Sequence, residues 1–387
     1  MAMRKSHTPP HEMVSLFAGI GGFELAFSRY GVRTILMCEI DPVAKQVLHS
    51  NLPDVAIIDD VKDIKRLPKE TDLLCAGFPC QDLSSVGEKQ GLSGSRSSLV
   101  KEVFRILRRK RVEWVIFENV SFMLSLNGGE TISTIVTELE ELGYNWAYRV
   151  IDSIAFVPQH RKRVYIVASI HNDPCSVLLS DSYIRSKNSI NDTTFSHPLG
   201  FYWTEGRNAL GLICDGIPTL KAGSTIGIPS PPAIAFPNGE VSCPDIRDAE
   251  RLQGFPADWT KPAEEISKPS YRWRLVGNAV TVDTVMWIAR KMVHPVPYDG
   301  SNDPQFEDKK IWPKAAWGKS GKRYVSSSSP YPEEGHDVSL IDFLEYPRKP
   351  LSLKASIGFE KRLREGGMNC PSYFLDTIQQ YIHNKQE

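Results

Sequence analysis

Short apolar segments alternate with amphipathic segments along the first 170 residues of the chain. The apolar segments predict strands at 13–17, 34–38, 72–76, 114–117 and 164–168. The amphipathic segments have helical periodicity and predict helices at 22–30, 41–49, 97–109 and 131–142. Strands that alternate with helices predict a Rossmann-like, doubly wound α/β fold, whose mostly parallel sheet is covered on both faces.

The pattern changes near residue 170. Residues 170–245 are rich in Ser, Asn, Pro and Gly and show little helical periodicity, which predicts a small, loop-rich second domain. Helical patterns return at 245–252 and 283–293. We therefore predict a first domain from 1–169 and 246–293, a second from 170–245, and a partly helical C-terminal extension from 294–387.

Composition excludes several classes of protein. The chain is 41% hydrophobic and 24% charged, as expected of a globular protein, and has no apolar run of membrane-spanning length. Residues 1–10 are polar and basic and lack the apolar core of a secretion signal, so we predict a cytoplasmic protein without a membrane partner. Seven cysteines without a CxxC pair favour neither a disulfide framework nor a metal site.

The formal net charge is zero, but the bases are clustered. Residues 81–111 carry eight Lys or Arg against three acids, and 309–323 carry six bases and no acid, with Trp312 and Trp317 between them. Either stretch is suited to contact phosphates. A solvated helix face and a polar linker are the alternatives.

A glycine-rich loop after the first predicted strand indicates a ligand site. It runs Phe17-Ala18-Gly19-Ile20-Gly21-Gly22 and opens a helix, so its backbone can approach a ligand closely. Glu39 lies 20 residues beyond Gly19, where an acid can bind ribose hydroxyls, and Asp60 is a candidate for an adenine amino group. The pattern indicates a cofactor that contains a nucleoside; NAD fits it too, although the glycine order departs from the dinucleotide form.

The segment Gly77-Phe78-Pro79-Cys80-Gln81-Asp82-Leu83-Ser84 follows the third predicted strand. Ligands of open α/β sheets bind at the carboxyl ends of strands, and a thiolate placed there can act as a nucleophile. Cys80 is therefore a candidate catalytic residue. Cys75 lies inside the strand and is expected in the core.

Three more segments place polar groups near strand ends. Glu118-Asn119-Val120 ends the next strand, where a carboxyl can hydrogen-bond a ligand. Gln159-His160-Arg161-Lys162-Arg163 precedes a strand, and a guanidinium there can orient the carboxylate or meet a carbonyl oxygen. Gly277-Asn278-Ala279-Val280 is a candidate to close the cofactor pocket.

Together these motifs resemble the C5-cytosine-specific DNA methyltransferase family of the bacterial, restriction-modification type, in order and in spacing, over residues 12–293. The segment 247–256, Arg-Asp-Ala-Glu-Arg-Leu-Gln-Gly-Phe-Pro, looks like the family's penultimate motif. Two departures are small: Ala279 stands where serine is common, and Asp59-Asp60-Val61 where Gly-Asp-Ile is common.

The resemblance implies a class I methyltransferase that uses S-adenosylmethionine, leaves S-adenosylhomocysteine and needs no metal. Cys80 would attack C6 of a cytosine flipped out of double-stranded DNA, and Glu118 would hydrogen-bond the ring. Arg161 would hold the base carbonyl, and Arg163 would brace Glu118. Residues 170–245 would recognise the target sequence, with phosphate affinity supplied from 81–111.

The resemblance also assigns binding residues. The cofactor set is Phe17, Gly19, Ile20, Gly21, Gly22, Glu39, Ile40, Asp60, Val61, Pro79, Leu99, Asn278, Ala279 and Val280. The DNA set, in the loop 81–99, is Gln81, Ser84 and Arg96. We expect a monomer in the cytoplasm of a bacterial or phage-host cell, associated with the nucleoid; a restriction endonuclease acting on the same site is a candidate partner.

Three alternatives remain open at this point. A tRNA cytosine methyltransferase shares the core, but the Cys-Phe-Thr triplet of that branch is absent. A non-catalytic DNA-binding homologue would typically lose Pro79-Cys80 or Glu118-Asn119-Val120, both of which are present. An NAD-dependent dehydrogenase would explain the glycine loop and leave the Cys80 segment unexplained.

Overall fold

A computed structural model of the chain describes residues 7–79, 99–184, 195–205, 210–223, 231–306, 311–333, 335 and 338–387. The strands, in chain order, are β1 Glu12–Leu16, β2 Arg33–Cys38, β3 Ile57–Ile58, β4 Leu73–Ala76, β5 Trp114–Val120, β6 Asn145–Asp152, β7 Gln159–His160, β8 Lys162–Ser169, β9 Leu199–Phe201, β10 Ile213–Cys214, β11 Ile217–Pro218, β12 Ala233–Ala235, β13 Val241–Cys243, β14 Ala315–Lys319, β15 Lys322–Val325 and β16 Lys349–Pro350. The helices are α1 Gly22–Ser28, α2 Pro42–Asn51, α3 Leu99–Arg109, α4 Glu130–Glu141, α5 Cys175–Leu178, α6 Ile246–Leu252, α7 Tyr271–Asn278, α8 Val282–Val293, α9 Leu340–Phe343, α10 Leu353–Glu365 and α11 Ser372–Asn384.

Contacts divide the chain into two compact units. The first unit contains 1–152, 162–184 and 282–333; the second contains 153–161, 185–281 and 334–387. Residues 246–281 and 334–387 belong to the second unit, and 282–333 belong to the first. The expected domain boundaries remain a prediction. What each domain does remains a prediction.

The first unit is built on a nine-stranded sheet with the order β15-β14-β6-β8-β5-β4-β1-β2-β3. Strands β3, β2, β1, β4 and β5 pair in parallel, and β8 and β14 run against the rest. This confirms the predicted α/β class with a mostly parallel sheet. The chain leaves β1 towards β2 on one side, while β4 lies on the other, so the order of the strands reverses between β1 and β4. Such a switch point is where open sheets bind ligands.

Apolar side chains fill the core around this sheet. Strand β4 is buried along its whole length, and β5 is buried from Trp114 to Asn119, which explains the unbroken apolar runs in the sequence. Helix α2 begins after Asp41, whose carboxylate accepts a hydrogen bond from the Val43 amide at 2.8 Å. The predicted burial of Cys75 is therefore confirmed, and Asp41 is the N-cap of α2.

The far edge of the sheet differs from what the local patterns indicate. Strand β6 pairs with β8 over its full length, and β14 pairs with β6 from Ala315 to Gly318. Residues 309–323 were expected to contact phosphates or to form a polar linker. Their described part instead contributes to the hairpin β14–β15 of the first unit. Trp312 is buried, and Arg323 donates to Glu140 at 2.8 Å.

The second unit contains a five-stranded sheet with the order β10-β9-β12-β13-β16 and a separate pair, β7 with β11. None of these strands is longer than three residues. Helices α10 and α11 pack on the sheet through Phe359 and Phe374, which contact Phe201 at ring-centre distances of 4.9 and 5.0 Å. Among the described residues, no helix is long and apolar enough to cross a membrane.

Candidate functional site

The glycine loop lies at the carboxyl end of β1, on the switch point of the sheet. Phe17, Gly19 and Gly21 have positive φ angles of 58°, 57° and 90°, so the chain turns sharply before α1 begins. An added Cβ at Gly19 would meet no atom within 4 Å, so the loop leaves open space beside its backbone. Phe17 adopts this left-handed conformation although it is not a glycine, and an aromatic residue rarely does so.

Glu39 ties the end of β2 to this loop. Its carboxylate accepts a hydrogen bond from the Gly19 amide at 2.7 Å and another from the Asp41 amide at 2.8 Å. Burial raises the pKa of Glu39 above its usual value, and these amide donors oppose the rise. Beside it, the side chain of Ile40 is 68% exposed.

The other predicted cofactor residues differ in exposure. Asp60 accepts from the Lys62 amide at 2.9 Å and begins a short 3₁₀ turn, whereas Ile20 and Val61 are buried. Leu99 is half-buried and packs on the main core, and Pro79 is exposed.

The segment that leads to Cys80 is fixed by β5. The Asn119 side-chain amide donates to the Phe78 carbonyl at 2.8 Å, and the Phe78 ring packs edge-on against Phe117 at 5.6 Å. Cys80 itself, together with Gln81, Ser84 and Arg96, lies outside the described residues. The structure therefore describes this segment only as far as Pro79.

Glu118 lies next to this segment. Strands β4 and β5 pair in parallel with Ala76 opposite Phe117, so the next residues, Gly77 and Glu118, are neighbours. A Cβ added at Gly77 would lie 3.5 Å from Glu118 Oε2. Glu118 is 9% exposed, and its other oxygen, Oε1, lies 3.2 Å from Arg163 Nε. Arg163 is thus paired with Glu118, and its role in bracing Glu118 for catalysis remains a prediction.

Arg161 has other partners. It is 3% exposed, and its guanidinium donates to the carbonyls of Leu220 at 2.9 Å, Gly277 at 3.2 Å and Ala279 at 2.7 Å, all within the second unit. These contacts differ from the predicted one with a base carbonyl. The predicted contact of Arg161 with a base carbonyl remains a prediction.

Asn278 ends α7 in the second unit, and Ala279 and Val280 follow it. The side chain of Asn278 is exposed, whereas Ala279 and Val280 are buried. The Ala279 carbonyl accepts from both Arg161 and Gln253.

Comparison with known proteins gives the family. The model of the C-5 cytosine-specific DNA methylases matches residues 11–205. The chain is also 43% identical to the Type II methyltransferase M2.BsuMI of Bacillus subtilis (strain 168) over 95% of this chain and 97% of that protein.

The chain belongs to the C-5 cytosine-specific DNA methylase family. It is a DNA cytosine-5 methyltransferase, which removes the dehydrogenase alternative. Another relative is the Type II methyltransferase M.MspI of Moraxella sp, 26% identical over 78% of this chain and 75% of that protein. Among solved structures, the Entamoeba histolytica methyltransferase EhMeth covers 74% of this chain and 99% of its own at a TM-score of 0.50 and 12% identity, which shows a shared fold.

The basic residues at the end of α3 contact main-chain carbonyls of an earlier segment of this methyltransferase. Arg105, Arg109 and Lys110 donate to main-chain carbonyls between residues 61 and 69, and Arg108 pairs with Glu138. Helix α3 leads into the amino end of β5, so these bases lie at the edge of the sheet opposite to Glu118. The contacts support a structural role for 105–110 and do not favour phosphate binding there.

Three residues were not predicted as site residues. Asn119 holds the strand end before Cys80, while Gln159 and Gln253 are fully buried in the second unit. Each lies inside one of the motifs quoted above, and that position was the available signal. Among the described residues, no three His, Cys, Asp or Glu side chains are grouped as metal ligands.

Proposed function

We propose that this enzyme transfers a methyl group from S-adenosylmethionine to C5 of a cytosine in a specific sequence of double-stranded DNA, through a covalent bond between Cys80 and C6. The observation that carries the proposal is the Glu118–Arg163 pair beside the anchored segment 77–79. A carboxyl held at the end of the neighbouring strand, beside Gly77, is what a cytosine ring needs on its hydrogen-bonding edge.

The residues around the β1 end fit the cofactor. The open space at Gly19 accommodates a ligand against the backbone, and Glu39 is positioned for ribose hydroxyls. The exposed side chain of Ile40 provides an apolar surface for an adenine ring. When bound, S-adenosylmethionine supplies an electrophilic methyl group. The family resemblance also assigns Asp60, Asn278, Ala279 and Val280 to the proposed set.

The protein's own groups carry out the remaining steps. The Cys80 thiolate forms a bond to C6, which makes C5 nucleophilic enough to take the methyl group. Glu118 hydrogen-bonds ring N3 and the exocyclic amine, and Arg163 holds Glu118 in place. A base, which we propose to be water, then removes the C5 proton, and the bond between Cys80 and C6 breaks. Because C6 is inaccessible in a duplex, the cytosine must first leave the stack, at about a few kcal/mol.

The test is transfer of a labelled methyl group to DNA. Cys80→Ser should abolish transfer and leave duplex binding intact, and Cys370→Ser, in the C-terminal part of the second unit, is the matched control. Duplexes that contain 5-fluorocytosine should trap a covalent complex in the wild type, since fluorine cannot leave as a proton. Normal turnover by the Cys80 variant, or no trapped complex in the presence of cofactor, would refute the mechanism.

The target remains to be measured. The relatives M2.BsuMI and M.MspI are Type II methyltransferases, so we propose a restriction endonuclease of the same specificity as a partner. We propose that residues 170–245, called the recognition lobe below, make the sequence choice. Bisulfite sequencing of DNA from cells that express the protein would give the site, and a scatter of methylated cytosines without a common sequence would contradict specific recognition.

A further inference from the structure

We propose that Gln253 and Gln159 are positioning residues that join the loop 276–281 to the recognition lobe segment 219–221, so that cofactor affinity and DNA sequence discrimination depend on one buried network. The inference rests on the proposed function, which gives 278–280 to the cofactor and the recognition lobe to the choice of target. All residues of the network belong to the second unit.

Gln253 is the centre of the network. Its side-chain nitrogen donates to the carbonyls of Val276 at 3.0 Å and Ala279 at 2.9 Å. Its side-chain oxygen accepts from Gln159 at 2.7 Å and from the Thr281 hydroxyl at 3.1 Å. Both amide donors and both acceptor positions are used, and Gln253 is fully buried. The loop can therefore move only if some of these bonds break.

Gln159 connects this centre to the recognition lobe. Its oxygen accepts from the Leu220 amide at 2.9 Å, and its nitrogen donates to the Leu252 carbonyl at 2.7 Å as well as to Gln253. Strand β7, which begins at Gln159, also pairs with β11, so residue 217 lies beside it. One side chain thus holds the recognition lobe segment and the central glutamine.

A second link runs parallel to the first. Arg161 donates to the Leu220 carbonyl with one nitrogen and to the Ala279 carbonyl with another. The backbones of 276–281 and 219–221 also pack directly on each other, since a Cβ at Gly277 would lie 2.2 Å from the carbonyl carbon of Lys221. The two segments are in direct contact, and the buried polar groups fix their register.

The physical consequence is that the positions of the segments 219–221 and 276–281 are coupled. A buried donor or acceptor left without a partner is unfavourable, so a shift of 219–221 requires a shift of 276–281. Loosening the network should therefore harm two properties that depend on different ligands. A residue that served stability alone would lower the melting temperature without changing the preference between DNA sequences.

The experiment compares Gln253→Met and Gln159→Met with the wild-type enzyme. Gln379→Met is the control for the substitution itself, because Gln379 is an exposed glutamine of the second unit that donates to Glu360 and lies outside the network. The measurements are KM for S-adenosylmethionine and the ratio of kcat/KM between the cognate duplex and one with a single altered base pair. We expect KM to rise and the ratio to fall together, each about tenfold, because one lost buried bond is of this size. The control should change neither.

Thr281→Val keeps the experiment decisive if the glutamine variants do not fold, since it removes a single bond at 3.1 Å. It should move both quantities in the same directions by a smaller factor. Changes in KM without a change in the ratio, or the reverse, would overturn the inference. Wild-type protein that methylates no DNA would instead overturn the proposed function, so the two failures are distinguishable.

Discussion

Glu24 makes the stability of this methyltransferase depend on pH. It lies in the first turn of α1, two residues after the glycine loop, and is 1% exposed. Burial raises the pKa of Glu24 to about 7, and the lowering by the Ser15 hydroxyl is smaller. A helix N-terminus normally favours an ionised acid, so at this position burial outweighs the helix dipole.

The size of the effect follows from the shift. The pKa changes from 4.5 in the unfolded chain to about 7 in the fold. At 1.36 kcal/mol per pKa unit, this shift amounts to about 3 kcal/mol. Between pH 4.5 and 7 the folded carboxyl keeps a proton that the unfolded chain has released. The free energy of unfolding therefore falls as the pH rises through this window and stays level above it.

Replacement of Glu24 by Gln removes the titration and keeps the shape. We expect Glu24→Gln to match the wild type near pH 5 and to be more stable at pH 8 by up to about 3 kcal/mol. Urea unfolding followed by tryptophan fluorescence at both pH values measures this difference. Glu130→Gln is the control, because Glu130 is an exposed acid in the first turn of α4. A difference between Glu24→Gln and the wild type that does not change with pH would refute the reasoning.

Three further outcomes are expected. Gly277→Ala should destabilise the protein by about 2 kcal/mol or more in thermal melting, because the added methyl group meets the Lys221 backbone; an unchanged melting temperature would contradict the close packing. Arg109→Ala should leave the slope of DNA affinity against salt concentration unchanged, whereas the loss of a phosphate contact would lower it by about one. Asn119→Ala should lower kcat at least about tenfold with little change in DNA affinity, since it frees the Phe78 carbonyl; retention of normal kcat would show that the anchor is dispensable.

Local patterns in the sequence predicted the first half of the sheet well. Strands β1, β2, β4 and β5 are short apolar runs, and the residues after them lie at one edge because parallel strands end together. The order of strands and motifs along the chain was therefore enough to predict that the glycine loop, Glu39 and Glu118 lie at one edge. The roles of Cys80 and of the residues around it remain predictions.

Strand β6 was not predicted from the local hydrophobic pattern. Arg149 interrupts its apolar pattern, yet Arg149 is fully buried and donates to the carbonyls of Ser329 and Leu178. The partner Ser329 is 180 residues away along the chain. A buried arginine is stable only when hydrogen-bond acceptors surround it, and the local sequence pattern does not predict those acceptors.

The sequence by itself determined the elements whose periodicity is local and the motifs that mark the edge of the sheet. Only the tertiary structure decided which distant segments pair: the hairpin β14–β15 on β6, the bases of α3 on their own backbone, and the glutamines 159 and 253 on one another. The physical reason is that these side chains are polar or charged and take their roles from partners far along the chain. Such partners become neighbours only when the chain is folded.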